Sequence, residues 1–408
     1  MSGALTSDGD LLASFVKDSG HTPRDFFIYS MSGTADFAYP GLTSQIDAMA
    51  DVGDGTFVMA DRESQGNLAY RVREGYRHDG VAADEYTYNG LRFFWAAEGE
   101  PAAPAATAAA TAAGTAADVF GLSTRVHDVV ADPVWPGYGR LLFPVGRPIA
   151  TEVTLEEVGT LLPWFTHVSP KTTVAVLNDL HRRAAAGDKV FYDIYTAEEK
   201  QQDPSKNDTG LFLFRGRPGG KVAIVNAGGG FVYVGAIHDS FPQAWELSLR
   251  GYNAYALIYR PGGRTGAQDL ARAIAFIHDH AQELGVDTTG YSLWGGSAGA
   301  RLAAWLGTKG TKAFGEADYP RPAAVITQYT GMSEVTGYEP PTYACVGTSD
   351  QIANAMTMRR RIDSIRAKGT DAEIDVFPGL VHGFGLGEGT GAQGWLDHAV
   401  AFWERQVA

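Results

Sequence analysis

One ten-residue stretch, Tyr291-Ser-Leu-Trp-Gly-Gly-Ser-Ala-Gly-Ala300, restricts the fold of this chain most strongly. It joins a short apolar run to a cluster of small residues around Ser297, and a helix-favouring segment follows. A serine at a tight turn from strand to helix needs very small neighbours, because the backbone is strained there and larger side chains would clash. Ser297 is therefore the candidate nucleophile, and the backbone N–H of Ala298 would favour negative charge beside it. The same cluster also suits an ordinary loop, so the rest of the chain must decide.

Composition limits the classes of partner. The 408 residues carry a net charge of −14 and are 45% hydrophobic, which suits a soluble globular protein and argues against nucleic acid or an anionic membrane as partner. No apolar run approaches the roughly 20 residues of a membrane span. The N-terminus resembles no secretory signal, so the chain as written predicts a cytoplasmic protein, and a secreted one if coding sequence extends upstream. Cys345 is the single cysteine, which excludes an intramolecular disulfide and predicts a buried strand thiol.

A segment rich in Ala, Thr, Pro and Gly divides the chain. Residues 96–118 contain almost no large apolar side chain that would anchor them to a core. We interpret this segment as a linker between an N-terminal part, residues 1–95, and a larger domain, residues 119–408. Its alanines also suit a helix, although Pro101 and Pro104 argue against a long one.

The N-terminal part alternates strands and helices, with a glycine-containing turn after each strand. Predicted strands at 25–31 and 67–72, and helices at 43–50 and 83–94, frame Gly33-Thr-Ala-Asp36 and Gly75-Tyr-Arg-His78. This pattern resembles the C-terminal part of the feruloyl-esterase-like branch of the family 1 carbohydrate esterases. The resemblance spans roughly residues 10–95 and implies that Asp36 and His78 are the family's acid and histidine. No serine elbow precedes them, so the two form a relic pair or belong to a site completed elsewhere. A fragment of a sheet leaves an edge to cover, which allows a homo-oligomer formed through this part.

Helices and strands alternate regularly in the larger domain, which predicts a mostly parallel sheet with helices on both faces. The predicted elements are a helix at 174–186, strands at 189–195, 210–214 and 221–225, a helix ending near Arg250, a strand at 254–259, a helix at 267–284, strands at 323–328 and 342–346, a helix at 352–368, a strand at 373–377 and a helix at 394–406. Before them, aromatic residues at 132–140 and 161–165 suit either a cap over a site or ordinary packing.

A glycine-rich loop follows the strand at 221–225. In Asn226-Ala-Gly-Gly-Gly-Phe231 the glycines would let backbone N–H groups turn towards an oxyanion, although a flexible glycine turn is the simpler alternative. We predict an oxyanion hole formed by Gly229 and Gly230 together with Ala298.

An acid and a histidine follow the candidate nucleophile in chain order. Asp350 ends the strand at 342–346, where it would orient a histidine or merely cap the next helix. His382 lies on a glycine-flanked loop after the last strand, where a general base needs to be accessible. The order Ser297, Asp350, His382 is that of α/β-hydrolases. We therefore predict these three as a catalytic triad.

From residue 189 onward the chain resembles the α/β-hydrolase-3 and acetyl-xylan-esterase-like serine esterases. That resemblance implies an α/β-hydrolase fold, no metal or organic cofactor, and hydrolysis of acyl esters through an acyl-serine. With the N-terminal resemblance it suggests acetyl or feruloyl groups on plant cell-wall polysaccharide, an acylated carbohydrate substrate. The alternatives are a serine peptidase of the prolyl-oligopeptidase type, and a non-catalytic interaction module for the N-terminal part.

Other residues are weaker candidates. The family motif His-Gly-Gly-Gly has Ala227 in place of histidine, so the means of bracing the loop is open. Phe231, His238 and Trp294 are candidates for substrate contact, and Asp239 for either substrate contact or a helix N-cap. Asp269 is expected to pair with a nearby arginine or to cap its helix.

Overall fold

The computed structural model describes residues 8–18, 22–23, 26–34, 39–59, 66–73 and 118–408. The chain divides into two compact units, residues 1–114 and 115–408. Apart from Asp118, the predicted linker at 96–118 lies outside the described residues, as does the predicted helix at 83–94.

The first unit contains two parallel strands and two helices among its described residues. These are α1 (Gly9–Asp18), β1 (Ile28–Gly33), α2 (Tyr39–Asp51) and β2 (Leu68–Arg73). The two strands pair from Ile28 opposite Leu68 onward, as a right-handed strand–helix–strand connection allows. A small apolar cluster lies under them, formed by Leu12, Ala13, Ile46, Met49, Phe57 and Leu68. The predicted strands and the first helix are confirmed, with bounds shifted by up to four residues at each end.

The second unit carries the helices that cover a large sheet. They are α3 (Val126–Val130), α4 (Pro170–Ala185), α5 (Ala197–Gln202), α6 (Ala236–Asp239), α7 (Phe241–Leu249), α8 (Gly263–Asp279), α9 (Ala281–Leu284), α10 (Ser297–Lys309), α11 (Ala355–Ala367) and α12 (Trp395–Val407). The predicted helix at 267–284 is wrong in its bounds: it begins four residues earlier and is interrupted at His280, where α9 begins after a break.

The sheet of the second unit has eight strands. They are β3 (Phe191–Tyr192), β4 (Gly210–Phe214), β5 (Lys221–Asn226), β6 (Asn253–Ile258), β7 (Asp287–Gly296), β8 (Ala324–Gln328), β9 (Thr342–Gly347) and β10 (Ala372–Phe377), in the spatial order β10-β9-β8-β7-β5-β6-β4-β3. Strands β5 to β10 pair in parallel, whereas β4 pairs antiparallel with both β6 and β3. The predicted strand at 189–195 shrinks to two residues, because β3 is an edge strand that pairs only at Phe191 and Tyr192.

The sheet is buried on both faces, as its sequence predicts. Strands β4, β6, β8 and β9 have no exposed residue, which is the pattern of a parallel sheet covered by helices. Cys345 lies in β9 and is buried, as expected, and burial raises the pKa of its thiol well above its ordinary value. In the described part of the chain, none of the helices combines the length and the apolar character needed to span a bilayer.

Candidate active site

The turn at the end of β7 presents Ser297. Strand β7 ends at Gly296, and Ser297 is the first residue of α10 with a φ of 50°, a left-handed conformation that is strained for a serine. A Cβ on Gly299 would lie 2.0 Å from the carbonyl oxygen of Asn226, and one on Gly295 would lie 2.4 Å from the carbonyl carbon of Gly299. The cluster of small residues is therefore a steric requirement of this turn.

The structure brings Ser297, His382 and Asp350 together. His382 Nε2 lies 3.0 Å from Ser297 Oγ, and His382 Nδ1 lies 2.7 Å from Asp350 Oδ2. His382 and Asp350 are both buried, while Ser297 is half-buried at the end of its strand. The imidazole thus bridges the hydroxyl and the carboxylate, the geometry that proton transfer from a serine requires.

Asp350 is held by its own loop. Its second oxygen, Oδ1, accepts hydrogen bonds from the backbone N–H groups of Ile352, at 2.8 Å, and Ala353, at 2.6 Å. Helix α11 begins only at Ala355 and is capped by Asn354. The alternative that Asp350 is merely a helix cap is therefore wrong: one oxygen orders the loop and the other faces the imidazole.

The loop carrying His382 is fixed by the aromatic segment before α4. Thr166 donates its hydroxyl to the His382 carbonyl oxygen at 2.8 Å and its N–H to the Gly383 carbonyl oxygen at 2.9 Å. Phe165 contacts the same glycine, while Trp164 is exposed and lies over Gly230. The 161–165 segment therefore packs in the core and also contacts the loops that carry Gly230 and His382, while a role as a cap stays a prediction.

The glycine loop after β5 lies over the serine. A Cβ on Gly228 would lie 2.8 Å from the Ser297 Cβ. Gly229 and Gly230 have φ values of 130° and 62°, which favour glycine, and their N–H groups donate to no partner among the described residues. Ala298 lies in the first turn of α10, where backbone N–H groups have no acceptor within the helix. Two loop donors and one helix donor are therefore available beside Ser297.

Asp239 and Tyr259 brace this loop, a role that the sequence assigned to neither residue. Gly228 donates its N–H to Asp239 Oδ2 at 2.6 Å, and Tyr329 donates its hydroxyl to Asp239 Oδ1 in a short hydrogen bond. The Asp239 carboxylate also fills the space beside Gly296, where a Cβ would come within 2.3 Å of it. Burial raises the pKa of Asp239 to about 7. A second brace is the Tyr259 hydroxyl, which donates to the Ala227 carbonyl oxygen at 2.6 Å. Ala227 therefore needs no side-chain hydrogen bond of its own.

Three of the weaker predictions are corrected. His238 is buried, and its Nε2 lies 3.0 Å from the Gly383 carbonyl oxygen, so it supports the His382 loop and does not face substrate. Trp294 is buried in β7 and donates its indole N–H to Ser292 at 2.7 Å, which removes it from the cleft. Asp239 is no N-cap, because it ends α6 and Ser240 precedes α7.

Of the remaining candidates, two have identified contacts and two lie outside the described residues. Asp269 pairs with Arg260 at 2.7 Å, as predicted. Phe231 is half-buried and stacks on Trp305, with ring centroids 5.8 Å apart and planes 8° apart. Asp36 and His78 lie outside the described residues.

A comparison with known families covers part of this site, because Asp350 and His382 lie beyond the matched residues. Residues 220–336, which include the glycine loop and Ser297, match the BD-FAE family model. Among the curated proteins none matches the chain.

Solved structures similar to this chain include hydrolases of the same fold. Esterase 2 of Thermogutta terrifontis, bound to propionate, is 23% identical, with a TM-score of 0.43 over 48% of this chain and 89% of that one. MGS-M1, an alpha/beta hydrolase from a Medee basin deep-sea metagenome library, is 20% identical, with a TM-score of 0.42 over 49% and 93%. An acetyl ester-xyloside bifunctional hydrolase of Caldicellulosiruptor lactoaceticus is 19% identical, with a TM-score of 0.47 over 53% and 95%. At these scores the likeness carries no argument about activity.

The second unit has the α/β-hydrolase fold. Its own topology decides this: a mostly parallel eight-stranded sheet, with a serine at the strand-to-helix turn after β7, an acid after β9 and a histidine after β10. The predicted fold class is confirmed.

Proposed function

We propose that the chain is a serine carboxylesterase that hydrolyses acyl esters through an acyl-serine intermediate. The observation that carries this proposal is the position of the His382 ring, 3.0 Å from the Ser297 hydroxyl and 2.7 Å from the Asp350 carboxylate, under a loop with two backbone donors that have no partner among the described residues. Nucleophile, base, orienting acid and oxyanion donors are the four parts that acyl transfer needs.

The proposed reaction has two halves. Ser297 Oγ attacks the ester carbonyl carbon while His382 Nε2 takes the hydroxyl proton, and the resulting oxyanion accepts hydrogen bonds from Gly229, Gly230 and Ala298. The imidazolium, held by Asp350, gives the proton to the departing alkoxide, and the alcohol leaves an acyl-serine. Water then attacks the acyl carbon as His382 takes its proton. His382 returns this proton to Ser297 Oγ as the bond between Oγ and the acyl carbon breaks, which releases the acid and restores the serine.

For the substrate, we propose acetyl or feruloyl-type groups on plant cell-wall polysaccharide or its oligosaccharides. Support comes from the aromatic side chains around the glycine loop: Phe231 stacked on Trp305, and the exposed Trp164 over Gly230. Flat apolar ring faces suit sugar rings and aryl groups alike. Acetate release from acetylated xylo-oligosaccharides, compared with ferulate release from methyl ferulate, distinguishes the two acyl classes.

The test of the activity is the variant Ser297→Ala. We expect its kcat on p-nitrophenyl acetate to fall about a thousandfold or more, because no other group replaces the nucleophile. Ser364→Ala, a hydroxyl lost from the exposed face of α11, is the matched control and should retain wild-type turnover. Undiminished turnover in Ser297→Ala would refute the site. Nothing in the described residues favours the peptidase alternative, for which peptide anilides are the separating substrate.

A further inference from the structure

The side of α10 that begins at Ser297 reaches the surface and forms a wall beside this residue. Between residues 297 and 308 every position of this helix is buried except Ser297, Arg301 and Trp305, which are half-buried. Residues four apart lie on the same side of a helix, with about 5–6 Å between successive Cβ atoms. Since Ser297 faces the substrate, Arg301 and then Trp305 extend the same wall away from the nucleophile.

The guanidinium of Arg301 lies beside the loop that carries Asp350. Its Nη2 is 3.9 Å from the position that a Cβ on Gly331 would occupy, and that position is 3.6 Å from the Ile352 carbonyl oxygen and 3.8 Å from the Ala353 Cα. Ile352 and Ala353 are the residues whose N–H groups hold Asp350. The Arg301 guanidinium therefore lies near the loop that holds the Asp350 carboxylate.

Arg301 has no carboxylate partner within the described part of the chain, neither in an ion pair nor in a side-chain hydrogen bond. Other half-buried or buried arginines have partners. Arg260 and Arg272 pair with carboxylates at 2.7 Å, and Arg147 and Arg361 donate to backbone carbonyl oxygens. The chain has 47 acidic residues against 33 basic ones, so acidic partners are abundant. A half-buried cation four residues after the proposed nucleophile, without such a partner among the described residues, is available for a ligand.

Apolar side chains are exposed on the segments that meet at the candidate site. They are Val232 from the glycine loop, Ile352 after Asp350, Val381 before His382, and Trp164 from the aromatic segment, and Ile352 belongs to the loop beside Arg301. In such a setting a charge-assisted hydrogen bond is less screened than at an open surface.

We propose that Arg301 binds a carboxylate of the substrate, so that the enzyme prefers esters that carry a carboxylate close to the scissile bond. The planar guanidinium can hold such a group through two parallel hydrogen bonds, and the Phe231–Trp305 stack lies next along the wall for the apolar part of the same molecule. The carboxylate can belong to the acyl group, as in a dicarboxylic monoester, or to the alcohol, as in an acylated uronic acid. This inference rests on the proposed esterase function.

The experiment compares charged and neutral esters of matched size. The acyl arm uses monoethyl glutarate against ethyl valerate, and the alcohol arm uses acetylated methyl glucuronoside against acetylated methyl glucoside. The ratio of kcat/KM for the charged and the neutral ester is measured within one protein sample, so the folded fraction cancels. We expect the wild type to prefer the charged ester in at least one arm. In Arg301→Gln this ratio should fall about ten- to hundredfold, the range for a hydrogen bond to a charged group.

Two further variants make the outcome decisive. Arg301→Lys retains the charge without the planar fork and should retain part of the preference. Lys309→Gln removes a cation from the exposed end of the same helix and should leave the ratio unchanged. A wild type without preference in either arm, or a preference that survives in Arg301→Gln, would overturn the proposal. If neutral esters are hydrolysed in a Ser297-dependent way, the esterase function still stands; if no ester is hydrolysed, that function fails instead.

Discussion

Asp239 connects three segments that are far apart in sequence. It accepts hydrogen bonds from Gly228 in the glycine loop and from Tyr329 after β8, and it borders Gly296 at the serine turn. The Tyr329 ring in turn packs edge-on against the His382 ring, with centroids 5.0 Å apart. The Asp239 carboxylate thus links the glycine loop, which carries the proposed oxyanion donors, to the serine turn. Through Tyr329 it is also connected to the His382 ring.

We predict that Asp239→Asn lowers kcat on p-nitrophenyl acetate about tenfold with little change in KM. The amide can still accept from Gly228, but it loses the charge that strengthens this bond, and the loop donors stabilise charge chiefly in the transition state. The measurement is kcat and KM together with the unfolding midpoint. Asp375→Asn is the matched control, because Asp375 accepts a hydrogen bond from the buried Tyr343 at 2.6 Å outside the active site. Equal kcat losses in both variants would contradict a positioning role for Asp239.

Among single residues, the sequence indicated the three members of the proposed triad, but it did not indicate that Asp239 positions the glycine loop. The local sequence pattern was sufficient to identify Ser297, Asp350 and His382 as candidates, because each follows a strand and has flanking residues typical of its proposed role. Asp239 has partners 11 and 90 residues away, and only the folded chain brings them together. For the same reason Trp294 and His238 looked available from sequence and are buried.

The elements supply the site through a simple rule of parallel sheets. Strands β5, β7, β9 and β10 run in parallel, so the glycine loop, Ser297, Asp350 and His382 leave the sheet at one edge. Alternating apolar runs and helical periodicity predicted β5, β9 and β10 within one residue at each end, and predicted the strand that leads into Ser297 without its first residues. The edge strand β3 and the break between α8 and α9 were predicted poorly, because pairing at a sheet edge and local helix breaks depend on tertiary neighbours.

Helix α6 contacts the His382 loop through His238, and the titration of this histidine should make the free energy of unfolding depend on pH. Burial lowers the pKa of His238 from 6.5 to about 4. Between these two pH values the unfolded chain binds a proton that the folded chain does not, so this group reduces the free energy of unfolding as the pH falls from 6.5 towards 4. Asp239 acts in the opposite direction: its pKa is raised from 3.8 to about 7, so its ionisation weakens the folded state as the pH rises through that window.

We predict that His238→Gln becomes more stable relative to the wild type as the pH falls. The difference in unfolding free energy should change by about 1.4 kcal/mol per pH unit below pH 6.5, or about 3 kcal/mol by pH 4. Urea unfolding of both proteins between pH 4 and 8 measures it, and the contribution of Asp239, common to both, cancels. His127→Gln, at an exposed histidine in α3, is the matched surface control. If the difference in unfolding free energy between His238→Gln and the wild type did not change with pH, the lowered pKa of His238 would be contradicted.

The described residues form two apolar clusters, one in each unit. One is built from residues 12–68 of the first unit and the other from residues 120–403 of the second. All residues of the proposed active site lie in the second unit. The composition of 96–118 suggested such a division, but the role of the first unit stays a prediction: its resemblance to feruloyl-esterase-like proteins rests on sequence, and Asp36 and His78 lie outside the described residues.

We predict that a variant consisting of residues 119–408 keeps the esterase activity and loses any self-association. Because the triad, the glycine loop and the surrounding core all lie in this range, kcat/KM on p-nitrophenyl acetate should stay within about twofold of that of the full chain. A two-stranded sheet fragment is a natural site for pairing with another copy, so sedimentation equilibrium should show an oligomer for the full chain and a monomer for the variant. The full-length Ser297→Ala protein separates the two readouts, since it should keep the oligomer without the activity. A large loss of turnover in the variant would show that the first unit contributes to the site, and an unchanged number of copies would remove its proposed role in assembly.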